Sequence, residues 1–173
     1  TSNSQSIHFA SHHAFPTCTS NKNNNTDYND NIFYIDSGAT TNMTNDFFDL
    51  INPEQCNINI TCAKENEIIT ATHYGKLVIK TNNKTLYLDE VLFAPELTKK
   101  LLSVKSLQNN NYTITFPALK HTCTISKNNH TITTAHINEQ MLYALETSTT
   151  IHSTHLASIN HTFTEWHEFL GHQ

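Results

Sequence analysis

From residue 32 onward, apolar residues recur at every second position in short bursts, and this period is the strongest constraint the chain places on its fold. Ile58, Ile60 and Cys62 alternate with Asn and Thr, Leu77 and Ile79 repeat the alternation, and Leu86 and Leu88 lead it into Val91, Leu92 and Phe93. Successive strand side chains point to opposite faces, so each burst is a short strand with one face on a core. Turn-forming residues at 64–66, at Tyr74-Gly75 and at Asn82-Asn83 separate the bursts. That spacing predicts a small closed β-barrel or a sandwich, in an all-β class, rather than a parallel sheet with crossover helices. Leu97, Leu101, Leu102, Val104 and Leu107 fit either a short helix beneath the barrel or a buried strand followed by a helical turn. Tyr112, Ile114, Phe116, Cys123, Ile125 and Ile132 resume the two-residue period around a hairpin at 127–129, and Met141, Leu142, Tyr143 and Leu145 close it. The expected organisation is a polar, disordered linker over 1–31, a β-barrel over 32–116, a β-hairpin extension over 117–146, a Thr/Ser/His linker over 147–162, and the start of a further segment over 163–173.

The chain opens on Thr1 and stops just after a Trp-His cluster, which suggests an internal piece of a longer polyprotein. Its net charge is −5 and every basic residue is Lys, so no Arg is available for bidentate phosphate or base recognition, and direct nucleic-acid binding by this segment is not expected. No signal pattern and no apolar run of membrane-spanning length occurs, so no membrane partner is expected. Cys18, Cys56, Cys62 and Cys123 form no Cys-x-x-Cys pair, which fits reduced thiols in a cytosolic compartment. His8, His12, His13 and Cys18 lack the paired cysteines of a metal knuckle. Asn-x-Thr sequons, as at Asn42, Asn59 and Asn83, arise by chance in a chain so rich in Asn and Thr.

The chemistry concentrates at Asp36-Ser37-Gly38. The run Ile32, Phe33, Tyr34, Ile35 predicts a buried strand, Asp36 its exit, and Gly38 a tight turn beside the carboxylate. Asp-Ser-Gly is also ordinary turn chemistry. In its catalytic form, two such carboxylates face each other across one water and share a proton, one acting as base while the other donates to the substrate carbonyl. The motif occurs once, so the second carboxylate would come from a homodimer.

Four blocks in this order resemble the Pol region of copia-type long-terminal-repeat retrotransposons: Tyr-Ile-Asp-Ser-Gly-Ala-Thr-Thr-Asn-Met-Thr at 34–44, Leu-Asp-Glu-Val-Leu-Phe-Ala-Pro-Glu-Leu at 88–97, Leu-Leu-Ser-Val with Leu107 at 101–107, and Trp-His-x-x-Leu-Gly-His at 166–172. The resemblance implies a retropepsin-like aspartic protease, acting as a homodimer on its own Gag-Pol polyprotein in cytoplasmic virus-like particles, followed by the start of the integrase. Asp36, Ser37 and Gly38 match its catalytic triplet, and Leu101, Leu102 and Ser103 its supporting segment, with Ser103 in place of the usual Gly. Ile69–Leu77 would be the flap hairpin, carrying Ile69, His73, Tyr74 and Gly75, and Ile68, Ile69 and Leu77 would line an extended substrate groove. His73 stands where the flap commonly has Gly, and Asn110 or Asn111 occupies a turn where Gly is common; Asn tolerates positive φ better than His.

The resemblance also implies that His167 and His172 are the histidine half of an integrase zinc module. No cofactor is needed for the protease, and zinc would bind only if the chain extends beyond Gln173 into a Cys-x-x-Cys. A function from another class remains open at this point: an inactive β-barrel module between Gag and integrase, with proteolysis lost or supplied in trans.

Overall fold

The computed structural model describes residues 31–62, 67–81 and 84–147, together with the backbone of two short strands, His13–Ala14 and Thr149–Thr150. The 1–12 and 15–30 stretches, most of the 147–162 linker, and His167 and His172 lie outside the described residues. The elements in chain order are β1 (His13–Ala14), β2 (Ile32–Asp36), β3 (Met43–Thr44), a 3-10 turn (Phe47–Asp49), β4 (Leu50–Cys62), β5 (Ile68–Thr81), β6 (Lys84–Phe93), β7 (Lys100–Ser103), α1 (Val104–Asn109), β8 (Thr113–Thr115), β9 (Thr122–Lys127), β10 (His130–Ile137), β11 (Tyr143–Glu146) and β12 (Thr149–Thr150).

The all-β class holds. Of the two readings for the leucine-rich stretch after Pro95, the strand followed by a helical turn is the one formed, as β7 and α1. Eleven strands form one ladder in the order β1-β4-β5-β6-β3-β7-β2-β11-β10-β9-β8, with β12 pairing β5 from the side. The ladder is not the closed ring expected from the spacing. The outer edge of β4 does not take the far end of the sheet; at Thr61 and Cys62 it pairs in parallel with β1 instead. The far end is β8, three residues long, and a short edge strand of this kind limits unwanted pairing.

The parallel pair β2–β7 is the centre of the molecule. β7 is buried along its whole length, whereas β2 buries Phe33 and Ile35 and leaves Ile32, Tyr34 and Asp36 half-buried. Phe33, Ile35 and Leu102 enter one core with Leu77, Leu86, Leu107 and Ile125, while Leu101 enters a second with Met43, Ile60, Leu92 and Leu97, against which Tyr34 packs. β5 serves both cores with one face, giving Ile69 and Ala71 to the second and Leu77 and Ile79 to the first. It can do so because the β4–β5–β6 ribbon is bent by register shifts at 51–54 and 55–58 on β4 and opposite 75–77 on β6, where Asn52 and Glu90 take positive φ.

This bend corrects the expected flap. Ile69, His73, Tyr74 and Gly75 do not form a hairpin; they lie within β5, paired to β4 on one side and, from His73 onward, to β6 on the other. Ile69 and Leu77 are core residues, not groove walls, and of the three groove candidates only Ile68 is exposed. Gly75 is required for space rather than for a turn, because a Cβ there would stand 3.0 Å from the Ile51 carbonyl oxygen and 3.3 Å from Leu50 Cβ. Gly75→Ala is therefore expected to lower stability by about 1–3 kcal/mol, read as a shift in the urea midpoint at unchanged slope.

His73 likewise has ordinary strand backbone, and its ring packs on Phe47 at 5.0 Å. Asn111, by contrast, has φ 63°, as its place in the turn after α1 predicts. The expected hairpin at 127–129 joins β9 to β10 through Asn128 and Asn129, both at positive φ, the signature of a type I′ turn. Cys62 is disulfide-bonded, against the expectation of reduced thiols, whereas Cys56 and Cys123 are free. Burial pushes the Cys123 thiol up to about 11.

Candidate active site

Asp36 ends β2 directly beside Ser103, the last residue of β7, with which it is in register. Its side chain is half-buried, and among the described residues it enters no ion pair. Its Oδ1 accepts one hydrogen bond, from the Gly38 backbone N–H at 2.7 Å, which closes the turn that Asp-Ser-Gly predicts. Ser37 is exposed at the tip.

The loop behind the carboxylate is fixed by a buried polar network. Ser103 Oγ donates to the Ala39 carbonyl at 2.6 Å and accepts from the Ser106 backbone N–H at 3.1 Å, so one hydroxyl ties the loop and caps α1. Asn42, fully buried, accepts the Ser103 N–H at 3.0 Å and donates to Ser106 Oγ at 2.9 Å. The Asn42 carbonyl takes the Leu92 N–H at 3.0 Å, anchoring the same loop to β6. Every member of this network is satisfied, which is the condition under which buried polar groups specify a geometry rather than weaken a core. Ser103→Ala is expected to cost about 1–2 kcal/mol and to loosen the loop, seen as faster amide exchange at Ala39 and Ser106.

Residues 33–112, the stretch that carries Asp36, Ser103 and the network joining them, match a family described as the Pol polyprotein, beta-barrel domain. This stretch is a Pol β-barrel domain. The chain is also similar to two Arabidopsis thaliana proteins. The retrovirus-related Pol polyprotein from transposon RE2 is 36% identical over 89 residues, 50% of this chain and 6% of that protein, and the one from transposon RE1 is 31% identical over 85 residues, 49% and 6%. The chain thus aligns with a small fraction of the length of these relatives, and it is a retrotransposon Pol polyprotein segment, as its sequence blocks indicated. No solved structure matches it.

The Pol β-barrel domain brings the triplet Asp36, Ser37, Gly38 together with Leu101, Leu102 and Ser103, whose strand pairs Tyr34, Ile35 and Asp36 residue for residue. It does not bring His73, Tyr74 or Gly75 into a hairpin over them. Tyr74 instead hydrogen-bonds Glu54 at 2.5 Å, which raises its pKa. A cavity of about 800 Å³ lies between β10, β11 and the β5–β6 end, with Lys84, His136 and Glu146 among its walls and Asp36 not. No group of three or more His, Cys, Asp or Glu that could hold a metal occurs among the described residues.

Sequence reasoning missed two contributors. Asn42 was passed over as a chance sequon, and its complete burial shows it to be scaffold. The second lies beyond the matched domain. β11 pairs β2 antiparallel, with Ala144 opposite Tyr34 and Glu146 opposite Ile32, and so flanks the strand that carries Asp36. No local pattern announces that pairing, which joins segments more than a hundred residues apart.

Proposed function

We propose that this segment is an aspartic endopeptidase that processes the Gag-Pol polyprotein of its own element, active as a homodimer with one Asp36 from each copy. The observation that carries the reading is a half-buried carboxylate with no counter-charge among the described residues, at the end of a central strand, on a loop pinned from behind by Ser103 and Asn42. Preorganisation of this kind is what a positioned catalytic group needs. Two Asp36 side chains brought together at a two-fold axis would share one proton, one activating water and the other donating to the scissile carbonyl. The substrate would lie extended, and virus-like particles are the expected setting.

The placement of His73, Tyr74 and Gly75 within β5, rather than in a hairpin over Asp36, favours a second reading, a β-barrel module whose catalysis is lost. Inhibition by a statine-type mimic of the dyad, together with loss of precursor cleavage in Asp36→Asn, supports the peptidase. Cleavage insensitive to both leaves the module.

A further inference from the structure

We propose that Cys62 is clasped by a disulfide to Cys18, so that the segment upstream of the β-barrel stays attached after the chain is cut between them and leaves only on reduction. The attachment is the same whichever enzyme makes the cut, and so is independent of the peptidase reading above. Among the described residues Cys62 is disulfide-bonded, whereas Cys56 and Cys123 are free. The sequence has four cysteines, and Cys18, outside the described residues, is the one partner left within the chain.

β1 brings the upstream segment to the right place. It pairs in parallel with the end of β4, with Ala14 opposite Cys62. Paired strands lie about 4.8 Å apart, within the Cα separation that a disulfide accepts. Cys18 follows Ala14 by four residues, few enough to keep it within reach of the same point on β4.

The other thiols do not compete. Cys123 is fully buried, and that burial pushes its thiol up to about 11. Burial raises Cys56 as well, and its Sγ donates to the Ala71 carbonyl at 3.5 Å. Exchange needs a thiolate with access to the bond, so neither displaces the pair. Cys62 itself is 3% exposed, packed in the core that holds Ile60, Ile69, Leu97 and, from the Asp36 loop, Ala39. A reductant reaches its sulfur only when β1, which pairs just two residues of β4, lifts away. The clasp therefore opens slowly while the chain is folded.

Closing it is a two-electron oxidation, for which glutathione disulfide serves as oxidant. One cysteine thiolate attacks a glutathione sulfur and releases the first glutathione thiolate; the second cysteine thiolate attacks the protein sulfur of the mixed disulfide and releases the other. The two protons lost by the cysteines end on the two glutathiones, and reduced glutathione runs the same steps backwards.

The test is a peptide map of the whole chain after incubation with glutathione disulfide, with free thiols alkylated before digestion at lysine in denaturant. Residues 1–22 carry Cys18, and residues 23–64 carry Cys56 and Cys62. The expected product joins 1–22 to 23–64 with the alkyl group on Cys56, and reduction separates them. Cys62→Ser should abolish the joined product, and Cys56→Ser should leave it. In reduced glutathione, the bond should be lost at least about tenfold more slowly from the folded chain than in urea. Cys18 found alkylated after oxidation, or joined to Cys56 or Cys123, overturns the pairing, as does a disulfide-linked dimer on a gel run without reductant. Equal rates of loss in buffer and in urea overturn the sheltered clasp.

Discussion

Replacing Asp36 with Asn is expected to reduce cleavage of a Gag-Pol precursor by at least about a thousandfold while leaving the fold in place. An amide cannot take a proton from water, nor hold the single proton that two facing carboxylates share. The structural cost should be small, because the one hydrogen bond Asp36 accepts, from Gly38 N–H, is available to an Asn Oδ1 as well, and the side chain enters no described ion pair. Stability is expected to stay within about 1 kcal/mol of the parent. Mixing sharpens the experiment. If both copies of Asp36 are needed, an equimolar, fully exchanged mixture of parent and variant retains about a quarter of the parent activity, whereas independently acting chains would retain about half. Undiminished processing by the variant assigns this β-barrel to the module reading, and a mixture at half activity removes the two-carboxylate requirement.

The strands were legible because alternation is a local signal, and it survives wherever one face meets a core. It failed where a residue has two possible reasons for being what it is. Gly75 reads as a turn, since Gly is the default for positive φ, but its neighbours show that it is there to let the Ile51 carbonyl approach, and sequence does not separate these uses. The result was a misplaced flap and a strand cut in two. At the site, Asp36 and Ser103 were legible from their own motifs, and their pairing in register follows from two apolar runs meeting as parallel strands. Asn42 was not, because in a chain so rich in Asn one buried amide looks like the rest. The pairing of β11 with β2 was not, because it joins segments more than a hundred residues apart. Lys100 gave no sign either, sitting in a Thr-Lys-Lys run that looks solvated.

That lysine carries the largest expected effect on stability. Lys100 begins β7 with its side chain 4% exposed, its Nζ 2.8 Å from Asp49 Oδ2, 3.9 Å from Asp46 Oδ2 and 5.4 Å from the Phe33 ring centre, while Thr44 Oγ1 donates to the same Asp49 oxygen at 2.5 Å. Asp49 is fully buried and its other oxygen has no hydrogen-bond partner. Lys100→Met keeps the apolar stem and removes the charge, so Asp49 is left as a buried carboxylate supported by one hydroxyl. Breaking a buried pair from one side costs about 3–5 kcal/mol, a large share of what holds a domain of this size folded. The measurement is urea unfolding at neutral pH, with the loss read from the midpoint. Lys100→Met combined with Asp49→Asn should recover part of it, because the amide needs no counter-charge and can still accept from Thr44, giving a coupling of at least about 1 kcal/mol. Additive losses would mean that the two side chains contribute through packing rather than charge. The consequence reaches the site along one strand. Lys100 and Ser103 are the two ends of β7, paired with Phe33 and Asp36 at the two ends of the facing segment of β2, so releasing the buried end frees the strand that holds Ser103 against the Asp36 loop. Amide exchange at Ala39 and Ser106 should therefore quicken in Lys100→Met even in conditions where the chain remains folded.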